Sequence, residues 1–542
     1  MSKREQSNAV SDEMPAKRKA TSVSGGINVS PKSKMKATKK RLRKEWKEFV
    51  EWLQRPFWRI VCLVVVIVFS IGLCLPALRN CRYDYSAGGV PYNGESFDLF
   101  SQSDYTQAAD AVLKGQTYLD IEPDQKLLDL EDPYNPKARD GIICLWDHAF
   151  YEGYYYMYFG MTPVFTVYLP FYFLTGQMPN PVTACLILGI FCCVAIPLAV
   201  FEWAKRFFPN VSPFLVGFAS FVMVAVSGVY LHISYSHRYQ IPILSALVMG
   251  FFFCYFVLRA LRCKKNWSRR ALFAVAGVFY VATVASRPTA ALLFLAPLPI
   301  VFFDILKPFQ PKKAVKDLCA LGIPVLIGAI IIMWYNNARF GNPFDFGQKY
   351  QLTVADVSTY SISSGLFGYA MIHYLLQQPT FDKDFPHITR SLVQMEYGRY
   401  IYVDRTLGVF AFPTTISTLF APAVLSFKKD PGKFIAYLFI PVCAVAVAFV
   451  DFCLAGVHIR YVFDILPMVT FLALLVWMEI CGMLKGKYKA IAVYVGILLC
   501  AVALYLCYGL IMTHGGADEI KDPEPEYLFH KVAMKCDKFI KQ

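Results

Sequence analysis

Apolar runs about 20 residues long recur along this chain from Phe57 to Met512, broken by short polar connections and two long ones. Each reads as a membrane-spanning α-helix, because a hydrocarbon layer about 30 Å thick takes about 20 residues at 1.5 Å per residue. Eleven spans are predicted: 57–76, 181–202, 212–231, 240–261, 271–286, 288–306, 317–336, 407–426, 434–455, 461–482 and 490–512. The stretch 162–176 is apolar but short and interrupted by Pro170, so it is read as a re-entrant or juxtamembrane helix. The fold expected is an all-α polytopic membrane protein.

The polar connections set an orientation. "KKRLRKEWK" precedes the first span, and "AKRFF", "RCKKNWSRR", "KPFQPKK", "FKKDPGK" and "KGKYK" fall on alternate connections. Basic loops stay in the cytoplasm, which places the N-terminus inside and the C-terminus outside. The loop 78–165 then lies outside with 14 acidic residues against six basic ones. Three regions follow: a disordered basic cytoplasmic tail (1–55), a transmembrane domain (56–512) with outer segments 78–180 and 338–406, and an outer tail (513–542). The tail's Phe529, Val532, Ala533, Cys536 and Ile540 suit a surface-lying helix.

Composition adds limits. Of the 542 residues 56% are hydrophobic and only 17% charged, with a net charge of +15. The positive surplus lies in the tail and the inner loops, where it meets membrane lipids rather than nucleic acid. No cleavable signal peptide is expected, since the first apolar run starts far from Met1. Most of the 16 cysteines sit inside apolar runs, and no CxxC or Cys/His metal spacing occurs. Cys81 and Cys144 bracket the first outer loop and leave a bridge open. Acids in the spans (Glu202, Asp304, Asp451, Asp464, Glu479) fall towards span ends, unlike the mid-membrane charges of a pump. A site at the outer membrane–water boundary is expected, suited to a substrate with one end in lipid.

"SDYTQAADAVLKGQTYLD" after the first span, then "WDHAFYEGYYYMYFGMTPVFTVYLPFYFLTG", resembles the GT-C superfamily of integral-membrane glycosyltransferases. The likeness is to bacterial relatives of protein mannosyltransferases and aminoarabinose transferases. "WYNNARFGNPFDFGQKYQL" and "HIRYVFDILPMVTFLALLVW" are also like segments of such proteins, so the resemblance covers roughly 57–510. It implies an inverting enzyme of the plasma membrane. A sugar would pass from a polyprenyl-phosphate-linked donor to a glycan, lipid or protein acceptor on the outer face. A lipid-linked saccharide flippase and a glycan ligase or polymerase are the rival readings.

The resemblance puts Asp104 where the family keeps the carboxylate that takes the acceptor's proton. Read locally, Asp104 starts a helix capped by Ser103 and ending near Gly115, with Tyr105, Ala108, Ala109 and Val112 on its buried face. Tyr105 replaces the family's second acid, which leaves a divalent metal ion open. Asp147 and His148 are the next candidates, as second acid or as a pair ordering the loop, and His237 stands on the same face. A leaving phosphate needs a cation, which Arg460 or Arg287 would supply. Local alternatives are an i,i+4 pair of Arg460 with Asp464, and a snorkelling Arg287. Tyr154, Tyr155, Tyr156 and Tyr158 read as interfacial anchors. Segment 338–406 is long enough to cover the site.

Overall fold

The computed structural model describes residues 56–79, 81, 89–91, 104–306, 310–381, 383, 387–397 and 400–513. The N-terminal tail, residues 514–542 and Ser103 lie outside the described residues. The helices that matter here are α1 (Pro56–Arg79), α2 (Asp104–Leu113), α3 (Val164–Thr175), α4 (Pro181–Phe207), α5 (Pro213–Ser234), α6 (Gln240–Arg262), α7 (Asn266–Val284), α8 (Pro288–Leu306), α9 (Pro311–Phe340), α10 (Pro431–Ala455), α11 (Ile459–Met483) and α12 (Gly486–Met512). Several open with proline at the first helical position, where its missing N–H costs nothing. Asn180 and Asp430 cap two of these, accepting from the Thr183 and Lys433 amides at 2.8 and 2.9 Å.

Among the described residues nine helices have the length and composition of a membrane span, which makes this a multi-pass membrane protein. That is two fewer than expected. The predicted span 271–286 is helical as α7, but its first turn carries "NWSRR", and Arg269 and Arg270 reach Asp317 at 2.7 and 3.5 Å. The predicted span 407–426 is not an α-helix. It forms 3₁₀ turns at Val409–Ala411 and Pro413–Phe420 before one α-turn at Ala421–Val424. The Thr415 hydroxyl donates to the Val409 and Phe412 carbonyls, and Thr418 donates to the Thr415 carbonyl. Hydroxyls that bond their own backbone, together with Pro413 and Pro422, favour the tighter winding over an α-helix.

Helices α6 and α11 form the centre, with 83% of their apolar windows buried, whereas only 11% is buried in α9. The bundle is chemically polarised. At one end the basic connections are tied down by acids: Arg262 and Lys205 to Glu202, Arg206 to Asp304, Arg269 to Asp317 and Lys433 to Glu479. At the other end lie α2, α3, the turns after α9 and short two-stranded pairings. These pair β1 (Gly89–Pro91) with β4 (Gln177–Pro179), β2 (Ala149–Tyr151) with β3 (Tyr154–Tyr156), and β5 (Ser391–Tyr397) with β6 (Tyr400–Thr406), all antiparallel.

Helix α2 departs from the expected one-sided surface helix. Every residue from Asp104 to Ala111 is buried, including Asp110, which pairs with Lys114 at 3.0 Å. Tyr105 explains this: its ring stacks on Tyr168 of α3 at 5.5 Å and on Phe159 at 6.4 Å, so the helix packs against α3. Cys81 and Cys144 are both free thiols, so the bridge left open by the sequence is not made.

Candidate active site

Two carboxylates from distant parts of the chain meet around one arginine. Asp104 opens α2 and is 3% exposed; its Oδ1 accepts from Arg238 Nη1 at 3.0 Å. Arg238 Nη2 stands 4.0 Å from Asp147 Oδ2 and donates to the Tyr239 hydroxyl at 3.2 Å. Tyr239 in turn donates to Asp147 Oδ2, while Gln351 Nε2 donates to Asp147 Oδ1 at 3.1 Å. Burial, with Asp147 second, pushes the Tyr239 phenol up to about 12. Tyr239 therefore stays a hydrogen-bond donor through the physiological range.

The backbone around Asp147 is built to aim it. Its φ of 56° lies in the left-handed region, which aspartate tolerates better than most residues. Its amide donates to the Leu352 carbonyl at 2.8 Å and the Leu352 amide donates to the His148 carbonyl at 2.9 Å, joining the loop to the segment after α9. His148 is oriented from both sides. Nδ1 donates to the Trp146 carbonyl at 2.9 Å, and Nε2 lies 3.2 Å from Gln107 Oε1 and 3.8 Å from Asp104 Oδ1. His237 stacks on Tyr239 at 4.9 Å; burial, then the Arg238 charge, holds its imidazole down at about 4. The ring is neutral at pH 7.

The two candidate phosphate ligands meet different chemistry. Arg287 Nε donates to Asp464 Oδ1, and Thr289 donates to Asp464 Oδ2 at 3.1 Å. The i,i+4 pair of Arg460 with Asp464 is not formed: the ion pair of Asp464 is with Arg287, just before α8. Arg460 has no acidic partner within 4 Å among the described residues, and lies over the Tyr239 ring at 4.2 Å.

Arg460 also lines both of the large cavities. One, of about 770 Å³, is mostly apolar and runs between α3, α7 and α9, with Phe165, Val278, Ile331 and Trp334 on its walls. All four side chains are exposed, so an apolar surface is open along this cavity. The other, of about 560 Å³, has a mixed wall, the more polar of the two, that includes Trp146, Asp147, Gln240 and Gln351. The two share Tyr239, Gln348, Leu454, Ala455, Arg460 and Tyr461. A close approach shapes the floor of the apolar one. A Cβ on Gly160 would stand 2.2 Å from the Ala285 and Ser286 carbonyl oxygens, and Thr162 Oγ1 donates to the Ala282 carbonyl at 2.7 Å.

Asp104, Asp147, His148 and His237 thus gather in one cluster, with Arg460 beside it over Tyr239 and Arg287 at the end of the same apolar cavity. Asp147 and Arg460 line a cavity; Asp104 stands behind them on Arg238. Arg238, Tyr239 and Arg339 are additions. Arg339 is 6% exposed on the apolar cavity's wall, with no acid within 4 Å among the described residues. Its only signal in the sequence was the quoted segment "WYNNARFGNPFDFGQKYQL". The donor set does not suit a divalent ion: a guanidinium stands between the two carboxylates, and among the described residues no three His, Cys, Asp or Glu are placed to hold one ion between them.

No family model and no curated protein matches the chain. Among solved structures it is similar to the oligosaccharyltransferase of Archaeoglobus fulgidus with a tethered acceptor peptide, at 12% identity and a TM-score of 0.42, over 85% of this chain and 56% of that one. The archaeal oligosaccharyltransferase AglB, also from Archaeoglobus fulgidus, in complex with an inhibitory peptide and a dolichol-phosphate matches at 13% identity and a TM-score of 0.42, over 84% of this chain and 55% of that one. ArnT from Cupriavidus metallidurans bound to undecaprenyl phosphate matches at 11% and 0.37, over 84% and 76%. The chain spans little more than half the length of the archaeal proteins.

Proposed function

We propose that this protein is an inverting glycosyltransferase of the plasma membrane, moving a sugar from a polyprenyl-phosphate carrier to an acceptor on the outer face. The observation that carries the proposal is Arg460, a cation without an acidic partner among the described residues, at the shared wall of an apolar and a polar cavity. The isoprenoid chain slides from the bilayer into the apolar cavity, and its phosphate meets Arg460, with Arg339 on the same wall. A guanidinium there neutralises charge as the phosphate leaves.

The acceptor enters the polar cavity, where Asp147 faces it. Its oxygen attacks the anomeric carbon from the side opposite the phosphate, its proton passes to Asp147, and the C–O bond to phosphate breaks with both electrons going to the carrier. A hydroxyl is a poor nucleophile until its proton is accepted in the transition state. Arg238 and Tyr239 hold the Asp147 carboxylate in place, and Asp104 holds Arg238. On this geometry Asp147 is the base, and Asp104, the acid indicated by the family resemblance, is a positioning residue.

Purified protein incubated with radiolabelled polyprenyl-phosphate monosaccharides and membrane extract of its source organism tests this. Label is expected to move to an acceptor fraction, with unlabelled carrier phosphate released. Asp147→Asn is expected to lower the rate about 10²–10⁴-fold with the fold intact. Transfer from none of the donors, or full turnover by Asp147→Asn, would refute the proposal.

A further inference from the structure

The polar cavity differs in kind from its neighbour. Three glutamines, Gln240, Gln348 and Gln351, line it together with Trp146, which is 45% exposed. Gln240 is only 5% exposed, and its Oε1 meets no hydrogen-bond donor among the described residues. A buried carbonyl oxygen without a donor is costly, and a bound ligand that supplies one removes the cost. An amide side chain both donates and accepts, as a sugar hydroxyl does. An aromatic ring offers a flat apolar face for the C–H side of a pyranose.

Other acceptors fit less well. Peptides are commonly held by main-chain pairing along a strand edge, whereas this wall is made of side chains from loops and helix ends. A lipid alcohol brings its own chain, and the large apolar slot is the one on the other side of Arg460. We infer that the polar cavity binds a saccharide, and that the acceptor is a sugar hydroxyl presented to Asp147. The inference rests on the transferase reading above and specifies its acceptor. Trp146 packs against the ring, and Gln240 and Gln348 engage hydroxyls other than the one that reacts.

Linkage analysis of the labelled product tests it. After transfer from the radiolabelled carrier sugar to membrane extract, the label is expected in a glycosidic bond to another sugar. Label on an amino-acid side chain, or directly on a lipid alcohol, overturns the inference and leaves the transferase reading standing. No transfer at all overturns that reading, and this inference with it. With the unmodified form of that glycan as acceptor, Trp146→Ala and Gln240→Ala should each raise the acceptor KM about 10-fold while binding of undecaprenyl phosphate stays at the wild-type level. An equal loss of both would mark a merely structural role and contradict the inference.

Discussion

Asp464 lies four residues after Arg460 on α11, and sequence spacing alone makes them partners. The structure gives Asp464 instead to Arg287, 177 residues away in the chain, and leaves Arg460 to the Tyr239 ring. A contact of that range leaves no trace in helical periodicity, which is why it was not legible. It predicts an asymmetry. Removing one partner of a buried ion pair strands the other charge and typically costs about 3–5 kcal/mol. Arg287→Ala and Asp464→Ala should therefore both lower the thermal unfolding midpoint strongly, whereas Arg460→Ala should leave it near wild type. A large drop for Arg460→Ala would show that it has a structural partner. His237 supports a second prediction, on pH. Its imidazole titrates near 4 in the fold against 6.5 when unconstrained, so the unfolded chain takes up a proton that the folded one refuses. Stability from this group is complete above pH 6.5 and is lost as pH falls towards 4, by roughly 2 kcal/mol at pH 5. Wild type should lose that much relative to His237→Gln between pH 7.5 and 5. Equal losses in both proteins would place His237 in water.

The elements were read from the sequence where periodicity or punctuation was strong. Apolar length located all nine long helices, and Pro170 correctly marked α3 as too short to cross. Where chemistry competed with length the reading failed. The hydroxyls of Thr415 and Thr418 redirect 407–426 into 3₁₀ turns, and Tyr105 drags α2 into the interior by stacking between rings that are distant in sequence. At this scale Gly160 is the sharpest test. The turn it occupies lies against the end of α7, and a methyl group there would stand 2.2 Å from two carbonyl oxygens. Backbone must move to admit it, at a typical overpacking cost of about 1–3 kcal/mol. Gly160→Ala is expected to lower the unfolding midpoint and to weaken carrier binding, because Tyr158, Phe159 and Met161 line the apolar cavity beside it. Unchanged stability and binding would mean the turn is free to shift.

Taken whole, the bundle has two unlike ends. Basic connections and their acids hold one end together; at the other, acidic and aromatic loops enclose a carboxylate–arginine cluster between two cavities. The sequence made this polarity legible, because alternate loops are basic and the first long loop is acidic. It also named Asp104, Asp147 and Arg460 as parts of one site. The cavities themselves were not legible, since they are spaces between helices and loops distant in the chain that no linear pattern encodes. The account depends on one of them receiving a lipid and on Arg460 holding its phosphate. The most direct measurement is equilibrium binding of undecaprenyl phosphate to the purified wild type and to Arg460→Ala, with undecaprenol as the uncharged control. Hydrogen bonds to charged groups are worth about 1.5–3 kcal/mol, which is a factor of roughly 10 to 150 in affinity. The account predicts that wild type binds the phosphate at least about 10-fold more tightly than the alcohol, and that Arg460→Ala erases the difference. Equal affinity of wild type for phosphate and alcohol, or an unchanged preference in Arg460→Ala, would contradict it.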